Sequence, residues 1–184
     1  MWHNATQYVM TGARVVALVA VVGCFSGCTE EPAGQEGVEA YSFLVGSWEG
    51  ELEYLDYGDN RTLVQLPTSM SCERGADGTS LELTFSYVEP SGRVEQSIDR
   101  LIPTSEGVQF GVPWRIKQPV QQVSERLVRM VLERDGEDNG QPATIENSIV
   151  LEGDELTITS VVTYSASGEM LQRNQYRFRR SDDG

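Results

Sequence analysis

Asp135-Gly136-Glu137-Asp138-Asn139-Gly140, followed by Glu146, has the spacing of a calcium-binding loop. Acids or amides stand at its first, third and fifth positions, Gly at the sixth and Glu at the twelfth, the order that wraps oxygen ligands around a hard cation. The third position is Glu where Asp or Asn is usual, Pro142 falls at the eighth, and both flanks read as strands where such a loop needs helices. The run is therefore expected to be a solvated acidic hairpin, and no metal is assigned. Cys72 has no base beside it in sequence and is expected to act as a small buried hydrophobe, not a nucleophile. Glu49 and Glu51, or Asp182 and Asp183, would suit glycoside hydrolysis only in a cleft. The first pair falls on the outward face of an alternating strand and the second on a tail. No catalytic residue and no cofactor are assigned, and a non-enzymatic role is expected.

Binding chemistry has more candidates. Arg100, Arg115, Arg126, Arg129, Glu133 and Glu146 lie inside otherwise apolar strands, where an inward pair would hold a ligand carboxylate. A register slip of one residue puts all of them outside, and outside is the expected placement for a strand charge. Leu83, Phe85, Tyr87, Phe110, Trp114, Ile158 and Tyr164 are the candidates for lining an apolar cavity. They serve equally well as a filled core, and the sequence leaves both readings open.

The N-terminus limits this chemistry. Val15 to Gly23 is an apolar run of nine residues, too short for a membrane-spanning helix and suited to a signal peptide. It leads into Gly23-Cys24-Phe25-Ser26-Gly27-Cys28, in which each cysteine follows the small residue that precedes the acylated cysteine of a bacterial lipoprotein. Cys28 is the expected lipidation site because it allows the more normal apolar length, with Cys24 the alternative. Cleavage before Cys28 removes His3, the sole histidine, which excludes histidine triads, histidine zinc sites and histidine-ligated haem. Cys72 is then the one cysteine within the folded part, so an internal disulfide is excluded as well. The formal charge of −14, from 28 Asp plus Glu against 14 Lys plus Arg, disfavours nucleic acid, whose phosphates need a basic surface.

These residues need a scaffold to position them. Thr29 to Glu39 is rich in Glu, Gly and Pro and is expected to be a flexible tether, within a segment 28–40 that joins lipid to domain. From Tyr41 on, apolar and polar residues alternate with period two, most clearly at Trp48, Gly50, Leu52 and Tyr54 against Glu49, Glu51 and Glu53. Turn residues recur at short intervals, as at Tyr57-Gly58-Asp59-Asn60 and Ser165-Ala166-Ser167-Gly168. The fold class is all-β: a single antiparallel up-and-down barrel of about 8–10 strands over residues 41–180, with an acidic tail at 181–184.

An apolar turn at Tyr41 to Val45, then Gly46-Ser47-Trp48 entering the first strand, then an Arg-rich last strand with Arg173, Arg177 and Arg179, resembles the bacterial lipocalin-like (calycin-type) lipoproteins. The resemblance implies that Trp48 closes one barrel end with Gly46 before it and Arg177 or Arg179 across its ring, a cation–π contact. It also implies a lipid-anchored protein of the cell envelope, on the outer membrane if the source has one, that carries a small apolar or amphipathic molecule. The alternative is an envelope interaction module with a filled core and no ligand.

Overall fold

A computed structural model describes residues 37–181, so Cys24, Cys28, the expected signal peptide, the expected tether up to residue 36 and Asp182 and Asp183 lie outside the described residues. Ten strands follow a short 3₁₀ turn at Ser42–Leu44. They are β1 Gly46–Leu55, β2 Leu63–Arg74, β3 Leu81–Val88, β4 Val94–Thr104, β5 Gly107–Phe110, β6 Val112–Ser124, β7 Leu127–Asp138, β8 Gln141–Glu152, β9 Glu155–Tyr164 and β10 Met170–Arg180. Each pairs antiparallel with its neighbours, and β1 pairs with β10 to close the barrel, so the up-and-down topology is the one expected. Closure satisfies the backbone of both terminal strands, β1 and β10. The described strands close the barrel around a core drawn from residues between Val38 and Phe178. No helix among the described residues is long and apolar enough to cross a membrane.

Gly37, Val38 and Glu39, expected to belong to a flexible tether, are instead ordered against the barrel. Residues 37–39 form a helical turn, Val38 is buried in the core, and Glu39 pairs with Arg74 at 2.8 Å. Val38, Tyr41 and Leu44 together plug the end of the barrel where β1 begins, because three apolar side chains on one short turn have that one dry surface to cover.

Trp48 sits at this plugged end, fully buried, with its indole Nε1 donating to the Leu44 carbonyl at 2.9 Å. The cation over its ring is Arg180, at 4.1 Å from the centroid, and neither Arg177 nor Arg179. Register explains the correction. Trp48 stands directly opposite Arg180, and residues facing each other across an antiparallel pair share a face. Arg177 and Arg179 point outward instead, to Glu51 and to Glu155. Arg180 also donates to the Val45 and Phe43 carbonyls, which ties β10 to the plug.

Gly46 is needed in this arrangement. Its φ is +132°, in the region that side chains avoid, and a Cβ there would lie 2.5 Å from the Arg180 Nη1. Gly46→Ala is expected to cost about 2–3 kcal/mol, read as a lowered denaturation midpoint at unchanged m. A loss under about 0.5 kcal/mol would show that the plug adapts freely and that the motif has no steric basis.

Strand limits differ from expectation mainly around β7. The acidic run is expected to be a solvated hairpin, but β7 runs to Asp138 and β8 starts at Gln141, so most of it is paired strand. Its acids point to different places. Asp135 meets Arg115 outside at 3.2 Å, Asp138 is buried inside, and Glu146 meets Lys117 at 2.5 Å. They do not converge on a cation, and the described residues hold no acid, Cys and His cluster fit for a metal.

Candidate functional site

The inward side of the barrel is read from the paired rows. Val128, Met130, Leu132, Arg134, Gly136 and Asp138 share one face of β7, and the rows continue through Asn147 and Ile145 on β8 to Ser160 and Val162 on β9. On β10 the register shifts between Gln172 and Asn174, with Arg173 as the extra residue. A bulge of this kind breaks the period-two alternation, so Arg173 and Asn174 both face inward although they are adjacent in sequence.

These walls line a cavity of about 280 Å3, just below the usual range of about 300–1,000 Å3 for ligand sites. Its floor is Leu44 of the plug together with Leu101 and Leu132. Leu83, Phe85 and Tyr87 of β3 with Phe110 and Trp114 form an aromatic wall, and Ile158 contributes from β9. Six of the seven expected lining residues are thus brought together. Tyr164 is the exception, because its hydroxyl is taken up by Asp138. The six charged candidates lie on the outer side, as expected: Arg100 pairs with Asp77, Arg115 with Glu133, Lys117 with Glu146, and Arg126 and Arg129 are exposed.

The polar groups facing the cavity are ones the strand pattern did not single out. Asn147, Ser160 and Asn174 stand opposite one another across three successive strands and make a polar row on the wall. Tyr87 and Tyr176 join hydroxyls at 3.1 Å, and burial, then the Tyr87 hydroxyl, pushes the Tyr176 phenol well up. Burial also raises Asp99, which has no cation within ion-pair distance among the described residues.

Two arginines differ sharply. Arg173 is buried and held at both terminal nitrogens: Nη2 donates to Asp138 and to the Tyr164 hydroxyl at 3.1 Å, and Nη1 to Asn60 at 2.8 Å. Its guanidinium also stacks 4.5 Å from the Tyr57 ring centroid. Burial works against its charge, but the hydrogen bond and attraction to Asp138 outweigh that and raise its pKa. This cluster straps the loop between β1 and β2 onto the β7–β8 turn, with Asn139 donating to the Tyr57 carbonyl at 3.3 Å. Arg134 has no such partners. It lies 5.0 Å from the Trp114 ring centroid and folds back over Gly136, where a Cβ would meet its Nη1 at 2.2 Å. No carboxylate pairs with it among the described residues, and burial lowers its pKa.

Three buried side-chain polar atoms among the described residues lack a hydrogen-bond partner: Arg134 Nε, Arg173 Nε and Asn147 Oδ1. All three belong to residues that line this one cavity. Buried polar groups are nearly always satisfied in folded proteins, by protein or by water, so these atoms mark the polar part of the cavity lining. Access is at the end opposite the plug. There the β5–β6 hairpin turns back at Gly111, β4 pairs with β5 only from Leu101 on, and β7 pairs with β6 only up to Glu133. The wall is lower between β4 and β7 as a result.

Among solved structures, the chain is similar to Rv2717c from M. tuberculosis, at 13% identity and a TM-score of 0.54, over 79% of this chain and 97% of that one. The barrel has a lipocalin-like fold. A second similar structure is the S-type phycobiliprotein lyase CPES from Guillardia theta, at 12% identity and a TM-score of 0.47, over 86% of this chain and 100% of that one. At such identities the likeness to Rv2717c is one of fold. No family model and no curated protein matches the sequence. The lipocalin-like barrel expected from Gly46-Ser47-Trp48 is therefore present, with its end-closing arginine at position 180.

Cys72 lies at the plugged end, opposite Gly46 in the β1–β2 register. Burial, then the nearby Glu73, pushes its thiol up to about 12. At neutral pH it is a protonated, buried thiol, consistent with a packing role.

Proposed function

We propose that the protein is a lipid-anchored envelope protein whose barrel binds a small amphipathic molecule. The observation that carries this reading is the interior cavity, which brings an aromatic lining together with three unsatisfied polar atoms. A purely structural core has no use for such atoms, since filling the void with aliphatic side chains would be more stable. An apolar body against Phe85 and Phe110 would contribute burial, and a polar head would satisfy the bare atoms of Arg134, Asn147 and Arg173.

Native mass spectrometry of residues 31–184, purified from a bacterial host, tests this. A noncovalent adduct on the order of a few hundred daltons, released on denaturation, is expected from a cavity of this size. A bare mass, together with an unchanged melting temperature across fatty acids, their amides and isoprenoids, would sink the binding reading and favour the filled interaction module.

Anchoring rests on the sequence at Gly27-Cys28 and is tested separately. Cys28→Ser is expected to abolish palmitate labelling and move the protein from the membrane to the soluble fraction, while Cys24→Ser leaves both intact. The reverse pattern would assign the anchor to Cys24, and labelling that survives both changes would exclude lipidation.

A further inference from the structure

We infer that the guest is a monocarboxylic acid with a hydrogen-bond donor beside its carboxylate, as in an N-acyl amino acid or an alpha-hydroxy acid. The inference rests on the cavity being a ligand site and names the head group that site takes. Arg134 is the receiving cation. Its Nε is buried without an acceptor, and its guanidinium is held in place between the Trp114 ring and the bare backbone of Gly136. A preset planar donor of this kind matches a carboxylate, because two parallel N–H groups meet two oxygens.

The charge on the guest follows from the other ionisable groups of the cavity. Arg173 already has Asp138, whereas Asp99, Glu137 and Asp138 all line the same space. With that pair set aside, Arg134 stands against Asp99 and Glu137, so a singly charged head adds the least repulsion, and a phosphate or sulfate dianion would face those two acids with twice the charge and one free cation. The donor on the guest follows from Asn147. Its Oδ1 is a buried acceptor with no donor, and Asn147 stands opposite Leu132, one inward step along β7 from Arg134. A bare carboxylate would satisfy Arg134 and leave Asn147 Oδ1 bare. An N–H or O–H on the adjacent carbon reaches both with one head.

Four probes of one chain length separate these terms by titration calorimetry against residues 31–184: N-decanoylglycine, alpha-hydroxydecanoic acid, decanoic acid and decanol. The expected affinity order places the first two above decanoic acid, and decanoic acid about tenfold or more above decanol, the range of one charge-assisted hydrogen bond. Arg134→Met is expected to erase the advantage of the acids by about tenfold or more while leaving decanol unchanged. Gly136→Ala keeps the charge but displaces the guanidinium, and is expected to weaken the acids in the same selective way. Asn147→Leu is expected to bring N-decanoylglycine down to decanoic acid. Decanol binding as tightly as the acids, or acids indifferent to both Arg134→Met and Gly136→Ala, would overturn the head-group assignment and leave the apolar binding site standing. Failure of all four probes to bind a folded barrel would overturn the ligand site itself and leave a cavity filled by water only.

Discussion

Arg173→Met is expected to destabilise the barrel by about 3–5 kcal/mol, the cost of leaving a buried carboxylate without its cation. Asp138 is 6% exposed and Arg173 2%, so neither can turn to water. Removing the guanidinium leaves Asp138 with the Tyr164 hydroxyl alone and takes the hydrogen bond from Asn60 as well. Met keeps most of the apolar stem, so the loss is electrostatic more than steric. For a chain of this size the melting temperature should fall by roughly 10 °C. A double-mutant cycle isolates the pair: Asp138→Asn in the Arg173→Met background should recover much of the loss, because no buried charge is then stranded. A single-mutant loss below about 1 kcal/mol would mean that the site is wet and that the strap over the mouth does not depend on this pair.

The same residue shows what could be read from the sequence and what could not. Alternation across Trp48 to Tyr54 and Leu81 to Tyr87 revealed strands because one face of each is buried and the other wet, and that contrast is written into consecutive side chains. Strict alternation also groups Arg173 with Arg177 and Arg179 on one face, and the bulge after Gln172 breaks that grouping. A bulge is one extra residue in one strand, and what makes it visible is the partner strand's register, which no local window contains. Arg180 carries no local mark for the converse reason: its role is set by the residue opposite, Trp48, 132 positions away.

The interior charges of β7 were hidden differently. Val128, Met130 and Leu132 establish its inward face, and continuing two residues at a time reaches Arg134 and then Asp138. The signal was present, but Glu133 to Asp138 is almost entirely charged, and a run of that composition reads as loop. Its burial is sustained by Arg173 on β10, 35 positions on. Cavity residues of apolar type were legible because core and cavity walls draw on the same side chains. That likeness is also why their function was not legible, and the polar atoms that distinguish a cavity from a core became visible only in three dimensions.

Arg134→Met is expected to act in the opposite direction from Arg173→Met and stabilise the empty barrel by about 1 kcal/mol. Both arginines line one cavity and both have an unsatisfied Nε, so the difference lies in the partners. Arg173 is matched by a carboxylate, whereas Arg134 has the face of Trp114, a contact of about 0.5–2 kcal/mol set against a desolvation cost of several kcal/mol for a buried cation. The guanidinium is half-buried, which reduces that cost but does not reverse it. Met preserves the stem over Gly136 and deletes the charge and the bare Nε–H together. The melting temperature without ligand should therefore rise by a few degrees, about 2–4 °C. With N-decanoylglycine in excess the order should invert, because only the natural side chain gains the stabilisation that ligand binding adds to the folded state. A destabilised Arg134→Met barrel would show that the residue is held for packing. A stabilised barrel that still gained equally from the acid would show that the carboxylate is received elsewhere on the wall, and Arg173 Nε would then be the remaining buried donor.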